Sequence, residues 1–257
     1  MLEALYAGAV ADSQERANII PIRMLEQRLP DLKPTINLEA AFPKRDSIHV
    51  IAEIKRSSPS RGQLAEIAEP EALASEYEIS GASCISVLTE EREFKGSLHD
   101  LEQVRKSVSV AVLRKDFIAT EYQLLEARVA GADIALLIAA GLSKAELSRL
   151  YKLTIELGMT PFIETHSAEE IGIAMELDAK MVGINARDLT TFETDRDLFG
   201  RIASKLPEGV VKVAESAVRT VEDVANYKEA GATAVLVGEA LVTGNATALL
   251  KQFISVT

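Results

Sequence analysis

From residue 48 onward, short apolar runs alternate with amphipathic segments that have helical spacing. Four runs share a pattern in which a predicted helix ends at a small residue and a strand follows. They begin at residues 81, 131, 178 and 231, which are 50, 47 and 53 residues apart. Because about fifty residues hold two strand–helix units, another strand is predicted between each pair. The pattern therefore predicts eight strands, near residues 50, 85, 112, 135, 162, 183, 212 and 235.

These apolar runs are continuous, which is typical of parallel strands covered on both faces. Eight strand–helix units in this length predict an α/β fold, a (β/α)8 or TIM barrel, over residues 48–257. A doubly wound open sheet is the alternative, although no Gly-x-Gly-x-x-Gly turn supports a dinucleotide fold. Residues 1–47 begin with a helical pattern and then contain four prolines. We expect them to form an N-terminal helical extension packed on the barrel, with a partly mobile leader as the alternative.

Composition limits the classes of function that this protein can have. The 257 residues include 28 basic and 39 acidic side chains, and a net charge of −11 argues against a general binder of nucleic acid or anionic membranes. The single cysteine, Cys84, excludes an intramolecular disulfide and a cysteine-clustered zinc site, and we expect a buried thiol. The first residues do not resemble a signal peptide, and no apolar run approaches a membrane span. We expect a cytoplasmic monomer.

Polar side chains gather at the predicted carboxyl ends of the strands, where barrels of this kind build their sites. Glu53 and Lys55 share one face of the first strand, because side chains alternate along a strand. Lys115 ends the third strand and Glu164 the fifth, each in phase with an inward-facing apolar residue. Further polar residues end the later strands: Asn185 with Arg187, Glu215 with Ser216, and Gly238 with Glu239. One such charge would ordinarily face solvent, but this set at one end of the barrel predicts a catalytic site.

The residue types limit the chemistry of this site. The three histidines, at positions 49, 99 and 166, are far apart and have no metal-ligand spacing, and no Ser/His/Asp signal stands out. His166 is expected to be a loop or surface residue, with a position facing the barrel mouth, two residues beyond Glu164, as the alternative. After these exclusions, the chemistry that remains is general acid–base catalysis by a lysine and a glutamate. A lysine stays a useful acid near neutral pH if burial or neighbouring cations lower its pKa, and apolar surroundings raise the pKa of a glutamate. Ser216 and Gly238 suit an anion site in the loops after strands seven and eight, and helix caps are the alternative.

Several of these segments resemble the indole-3-glycerol-phosphate synthase family. The strongest likeness lies in Ile51–Ser60, Leu113–Phe117, Gly183–Phe192 and Val213–Ser216, and it extends to Ser86–Glu90, Phe94–Ser97 and Leu236–Leu241. Together the likeness covers residues 48–245. It implies a tryptophan-pathway carboxy-lyase that cyclises, decarboxylates and dehydrates 1-(2-carboxyphenylamino)-1-deoxyribulose 5-phosphate. It implies no cofactor and no metal. The implied partner is this phosphorylated small molecule, with other tryptophan-pathway enzymes as candidate protein partners and with neither nucleic acid nor membrane.

The same resemblance implies a role for each site residue. Lys115 would be the general acid of ring closure and Glu164 the general base of dehydration. Lys55 would hold the substrate carboxylate, while Glu53 and Asn185 would orient hydroxyls and lysines. The remaining predicted residues would bind substrate or its phosphate: Ser58, Phe94, Phe117, Arg187, Ser216, Ala217, Gly238 and Glu239.

One residue departs from the family pattern, which has Glu-Ser-Gly after the seventh strand. This chain has Glu215-Ser216-Ala217. If that position needs a positive φ, alanine strains the turn and weakens phosphate binding. The rival interpretations are another phosphate-binding barrel, such as a phosphoribosylanthranilate isomerase-like or thiazole-forming enzyme, and a non-catalytic binder of a phosphorylated ligand. Lys115 with Glu164 argues against the first rival, and Ala217 is the feature that favours the second.

Overall fold

Eight parallel strands close into a barrel in the computed structural model, which describes residues 2–188 and 193–257. The strands are β1 (His49–Ile54), β2 (Cys84–Leu88), β3 (Ala111–Lys115), β4 (Ile134–Ile138), β5 (Thr160–Thr165), β6 (Met181–Asn185), β7 (Val211–Glu215) and β8 (Ala234–Val237). Each strand pairs with its neighbours in chain order, and β1 pairs with both β2 and β8. The predicted (β/α)8 barrel is confirmed, and the open-sheet alternative was wrong because this last pairing closes the sheet.

Helices precede and alternate with the strands. They are α1 (Leu2–Ile19), α2 (Ile22–Glu26), α3 (Leu38–Ala41), α4 (Pro70–Ile79), α5 (Leu98–Ser107), α6 (Glu121–Ala130), α7 (Lys144–Glu156), α8 (Ala168–Glu176), α9 (Leu198–Ile202), α10 (Val221–Glu229), α11 (Glu239–Thr243) and α12 (Ala246–Phe253). Short 3-10 turns cover Leu29–Asp31, Ala139–Gly141 and Ala203–Lys205, and Ser57–Ser58 pairs with Gly62–Gln63 in a small ribbon. In the part of the chain that is described, no helix has the length and apolar character needed to cross a bilayer.

Local sequence explains where several helices begin. Thr120 and Gln123 cap α6 reciprocally, and Ser143 with Glu146 does the same for α7. In each pair, the hydroxyl accepts a backbone N–H that has no partner within the helix, and the longer side chain accepts the N–H of the capping residue. These caps fix where α6 and α7 begin after β3 and β4.

Side-chain alternation along the strands divides the apolar residues into two layers. Outward-facing residues, such as Val50 and Leu137, pack against the helices, while inward-facing ones, such as Ile51 and Phe162, fill the barrel. Cys84 faces the interior and is fully buried, as expected. Toward the carboxyl ends, the inward positions change from apolar to charged, so the site forms a polar layer on a packed core.

The N-terminal extension contacts both ends of the barrel. On α1, Leu5, Tyr6 and Ala9 are buried in the apolar cluster that includes the barrel interior, and the Tyr6 ring packs edge-on against Phe117 with centroids 5.6 Å apart. At the opposite end, Phe42 packs edge-on against His49, 5.4 Å away, at the start of β1. The extension therefore contributes apolar surface beside the barrel mouth and at its base.

We predict that Gly141→Ala destabilises the protein by about 2 kcal/mol, because the added Cβ would overlap the Tyr6 ring. Gly172→Ala is the matched control, because Gly172 lies within α8 with open space around it. Alanine there should stabilise the protein by up to about 1 kcal/mol through helix propensity. Urea denaturation followed by circular dichroism measures both changes. Equal stabilities for the two variants would contradict the described packing of Tyr6.

Candidate active site

A cavity opens at the carboxyl ends of the barrel strands and holds about 1090 Å³ of space not occupied by protein, including its mouth. All the residues predicted for the site line it. They are Glu53, Lys55, Ser58, Phe94, Lys115, Phe117, Glu164, Asn185, Arg187, Ser216, Ala217, Gly238 and Glu239. The barrel thus brings together side chains that lie almost two hundred residues apart in sequence, although their roles stay predictions.

Lys115 is the central cation of the cavity. Its Nζ lies 3.1 Å from Glu164 Oε2 and 3.5 Å from Glu215 Oε2. Asn185 donates an amide hydrogen bond to Glu164 Oε1 (2.9 Å), and the Ser216 hydroxyl donates to Asn185 Oδ1 (2.8 Å). A continuous polar chain therefore connects β3, β5, β6 and the loop after β7, and it fixes the orientation of both predicted catalytic groups.

The pKa values of Lys115 and Glu164 shift in the directions opposite to those that burial alone would give. Burial alone would lower the pKa of Lys115, but the carboxylates of Glu164, Glu215 and Glu53 together raise it far above its usual range. Burial alone would raise the pKa of Glu164, but Lys115, His166 and Asn185 hold it well below its usual range. Because the two groups face each other, each stabilises the charged form of the other. At neutral pH the cavity holds an ammonium beside a carboxylate.

A second ion pair lies on β1. Lys55 Nζ is 2.8 Å from Glu53 Oε1, and both side chains face the cavity as alternation predicts. Gly238 makes room for the pair, because a Cβ at that position would lie 2.5 Å from Glu53 Oε1 and 3.2 Å from Lys55 Nζ. Glycine is thus required here by close packing of a charged pair.

Glu215 is a third buried carboxylate, to which sequence reasoning assigned no role. Its Oε1 has no hydrogen-bond partner, and a Cβ at Gly183 would overlap that oxygen. Burial, together with the charges of Glu164 and Glu53, raises the pKa of Glu215 to about 8, although Lys115 opposes the shift. The sequence signal that could have identified Glu215 as a site residue was its position at the end of β7, two residues after the inward-facing Val213.

His166 lies in the loop after β5, as expected, but it is not a surface residue. Its side chain is only 15% exposed, with Nε2 3.4 Å from Glu164 Oε1 and Nδ1 3.5 Å from Glu170 Oε2. Burial would lower the pKa of this imidazole, but the two carboxylates raise it to about 10. The expectation of a surface residue was wrong because spacing along the sequence does not show that a helix N-terminus folds back on the strand before it.

One wall of the cavity is apolar. The rings of Phe94 and Phe117 lie with centroids 6.1 Å apart. Sequence reasoning missed the other apolar lining residues, Leu88, Leu136, Ile138, Val218 and Leu236. The Glu90 carboxylate holds the loop that carries Phe94 by accepting the backbone N–H groups of residues 92, 93 and 94. An aromatic ring of substrate could pack against this wall.

Arg114 supports the loop after β3, a role that sequence reasoning also missed. Its guanidinium is fully buried and donates to Asp116 Oδ2 (2.8 Å), Thr89 Oγ1 (3.0 Å) and the Gln123 carbonyl (2.6 Å). Asp116 also accepts the Phe117 backbone N–H (2.8 Å). Because Lys115 and Phe117 flank Asp116, this network positions an acid–base residue and an apolar wall residue together.

The loop after β7 has an unusual backbone. Ser216 and Ala217 have φ values of 67° and 58°, in the left-handed region that glycine adopts more easily. Ala217 therefore has the positive φ that was named as the condition for strain in this turn. Across the mouth, Arg187 donates to Ser60 Oγ (3.0 Å), and Arg61 pairs with Glu239 (2.9 Å). Residues 189–192 of the Gly183–Phe192 motif lie outside the described residues.

Within residues 2–188 and 193–257, no group of three or more His, Cys, Asp and Glu side chains has an arrangement suited to a metal ion. Lys115 pairs with Glu164, and Lys55 with Glu53. Their geometry suits proton transfer between a lysine and a carboxylate inside a barrel mouth.

The fold and the cavity define a (β/α)8-barrel protein with paired lysine and glutamate side chains at the carboxyl ends of its strands. A sequence model described as indole-3-glycerol phosphate synthase matches residues 2–253. The chain belongs to that family.

Individual relatives agree with this family assignment, and solved structures agree with the fold. The chain is 54% identical over 253 residues to an indole-3-glycerol phosphate synthase of Leifsonia xyli, covering 98% of this chain and 97% of the relative. It is 48% identical to indole-3-glycerol phosphate synthase 1 of Streptomyces coelicolor, covering 95% and 90%. A solved N-acetylmannosamine-6-phosphate 2-epimerase from Clostridium perfringens has 14% identity and a TM-score of 0.61, covering 77% of this chain and 88% of that one. A thiamine phosphate pyrophosphorylase from Pyrococcus furiosus has 13% identity and a TM-score of 0.60, covering 84% and 96%, and these two structures show the fold alone.

We predict that Glu215→Gln raises thermal stability relative to the parent, and more so as pH increases from 6 to 9. The raised pKa means that folded Glu215 keeps a proton that the unfolded chain has lost. Stability of the parent therefore falls as pH rises between the unfolded pKa and about 8, and it stays low above that pH. Glutamine resembles the neutral acid and removes this dependence.

Melting temperatures measured across this pH range test the prediction. The control is Glu229→Gln, which removes one carboxylate from an exposed position near the end of α10. A difference between Glu215→Gln and the parent that does not change with pH would contradict the raised pKa of Glu215.

Proposed function

We propose that this chain converts 1-(2-carboxyphenylamino)-1-deoxyribulose 5-phosphate into indole-3-glycerol phosphate, carbon dioxide and water. The observation that carries the proposal is the Lys115–Glu164 pair, 3.1 Å apart, inside the cavity of a chain that belongs to this family. In this proposal the enzyme is a carboxy-lyase of tryptophan biosynthesis that works through its own side chains alone.

The cavity suits the two ends of this substrate. Phe94 and Phe117 offer an apolar wall for the carboxyphenyl ring. The phosphate would bind at the other side, at Ser216-Ala217 and at the backbone of Gly238-Glu239, with the Arg187 guanidinium nearby. Lys55 would then hold the ring carboxylate, while Ser58 closes the cavity from the loop after β1. This placement puts the ribulose carbonyl at the centre, beside Lys115.

Ring closure needs an acid at the carbonyl oxygen. The ring carbon that bears the carboxylate attacks the carbonyl carbon, and the Lys115 ammonium protonates the oxygen as the carbonyl π electrons move onto it. The C–CO2 bond then breaks, and its electron pair restores the aromatic ring. Glu53 and Asn185 would orient the sugar hydroxyls and the lysines, because each lies in the same polar cluster.

Dehydration needs a base. Glu164 would accept a proton from the dihydroindole ring while the hydroxyl leaves as water with a proton from a neighbouring lysine. The folded protein prepares both groups, because their pairing keeps Lys115 protonated and Glu164 ionised. A protonated acid and an ionised base are the forms that the two steps require.

The net charge of −11 favours neither nucleic acid nor an anionic membrane as a partner. A monomeric state and a cytoplasmic location stay predictions, as does any association with other tryptophan-pathway enzymes.

We predict that Lys115→Ala and Glu164→Gln each lower kcat by a factor of about 10²–10⁴, the usual contribution of a general acid or base. The matched controls are Lys251→Ala and Glu229→Gln, which change exposed residues of α12 and α10. Steady-state turnover of the substrate, followed by indole fluorescence, measures each variant. Substrate binding without turnover in the parent chain would instead support a non-catalytic binder of the phosphorylated ligand.

We predict that Ala217→Gly lowers the Michaelis constant about fivefold and leaves kcat nearly unchanged. The left-handed φ of Ala217 strains an alanine by roughly 1 kcal/mol, whereas glycine adopts it freely. More of the free enzyme then holds the loop in the geometry that binds phosphate. Steady-state kinetics, with inhibition by inorganic phosphate as a second readout, tests this. An unchanged Michaelis constant would show that the loop strain does not limit phosphate binding.

A further inference from the structure

His166 lies behind Glu164, just outside the cavity lining. It follows β5 by one residue and precedes α8, so its side chain fits between the strand end and the first turn of the helix. One imidazole nitrogen faces Glu164 Oε1 at 3.4 Å, and the other faces Glu170 Oε2 at 3.5 Å. The ring thus bridges a site carboxylate and a structural one.

We propose that His166 is a positioning residue whose imidazolium holds the proposed general base, Glu164, in its ionised form with Oε2 directed at Lys115. This inference rests on the proposed function, because it assigns a partner to the base of that reaction. His166 does not itself touch substrate.

The contacts of Glu164 divide between its two oxygens. Oε1 receives the Asn185 amide at 2.9 Å and faces His166, while Oε2 faces Lys115. Oε1 is therefore held against the protein, and Oε2 is the oxygen turned toward the lysine. Without His166, Oε1 would keep the Asn185 amide, while Oε2 would keep its contact with Lys115.

The charge of His166 matters most after the first proton transfer. Once Lys115 has protonated the carbonyl oxygen it is a neutral amine, and Glu164 loses the cation 3.1 Å away. A buried carboxylate without a cation has a raised pKa, and would take up a proton before dehydration. His166 is then the cation that still contacts Glu164, so it preserves the base for the second step.

The surroundings of the imidazole keep it charged. The titratable groups that face it are Glu164 on β5 and Glu170 on α8, with Lys115 and Glu215 beyond Glu164. Glu170 is itself fixed, because its Oε2 accepts the His166 backbone N–H at 2.8 Å and its own N–H donates to Ser167 Oγ at 3.2 Å. Two fixed carboxylates around one imidazole raise its pKa to about 10 despite burial.

The charge state can be measured without turnover. With three histidines in the chain, the imidazole signals can be assigned in a carbon–proton NMR spectrum by single His→Gln substitutions. We expect the His166 signal to stay at its protonated position from pH 6 to pH 9. His49 is an internal neutral reference, because burial lowers its pKa to about 4. A His166 midpoint near or below 7 would overturn the proposal.

The kinetic test uses His166→Gln, which keeps an N–H near Glu164 Oε1 but removes the charge. We expect kcat to fall about tenfold, the Michaelis constant to stay within about twofold, and the acidic limb of the kcat profile to move up by about one pH unit. The limb moves upward because Glu164 without the cation is protonated at higher pH. His166→Lys should restore the position of the limb. A kcat and an acidic limb equal to those of the parent in His166→Gln would overturn the proposal.

Two further variants keep the test decisive. His99→Gln changes an exposed histidine on α5 and should leave kcat and its pH profile unchanged. Glu170→Gln keeps the imidazole and an acceptor for its backbone N–H, and should lower the His166 midpoint by at least about one unit. Glu170→Gln also tests the proposal if His166→Gln fails to fold. An unchanged His166 midpoint in Glu170→Gln would count against the bridge that the imidazole forms between Glu164 and Glu170. Absence of turnover in the parent would refute the proposed function, whereas the NMR midpoint separately tests the bridge.

Discussion

The structure depends on burying several charges in the mouth of a barrel. An ammonium or a carboxylate removed from water is tolerated only with partners of opposite charge, because an unpaired buried charge costs several kcal/mol. Lys115 meets this condition through Glu164, and Lys55 through Glu53. Replacing Lys115 or Glu164 singly by an apolar residue would take from the other buried charge its nearest partner of opposite sign.

The same constraint explains residues outside the charged cluster of the cavity. Gly183 and Gly238 have no Cβ because the carboxylates of Glu215 and Glu53 occupy that space. Arg114, fully buried on the outer side of the barrel, holds the chain on either side of Asp116 through its contact with that carboxylate. The two glycines thus leave room for the charged cluster inside the barrel, and the ionic network of Arg114 and Asp116 supports it from outside.

How much the sequence reveals depends on how local each feature is. Strand number and inward phase follow from apolar patterns within a few residues, so eight strands and the cavity-lining positions of Lys115 and Glu164 could be predicted. The pKa directions could not, because they depend on distances between side chains about fifty residues apart in sequence. The contacts of His166 and Arg114 were not predicted for the same reason, since each residue acts through groups on neighbouring elements.

A raised pKa does not prevent Lys115 from acting as an acid. The proton it would donate goes to a carbonyl oxygen that becomes an alkoxide as the new carbon–carbon bond forms, and an alkoxide is a stronger base than an amine. The transfer is therefore favourable at the moment when it is needed, while the neighbouring carboxylates keep the lysine protonated beforehand. After the transfer the local charge balance becomes one unit more negative, and a nearby cation such as His166 then decides whether Glu164 remains a base.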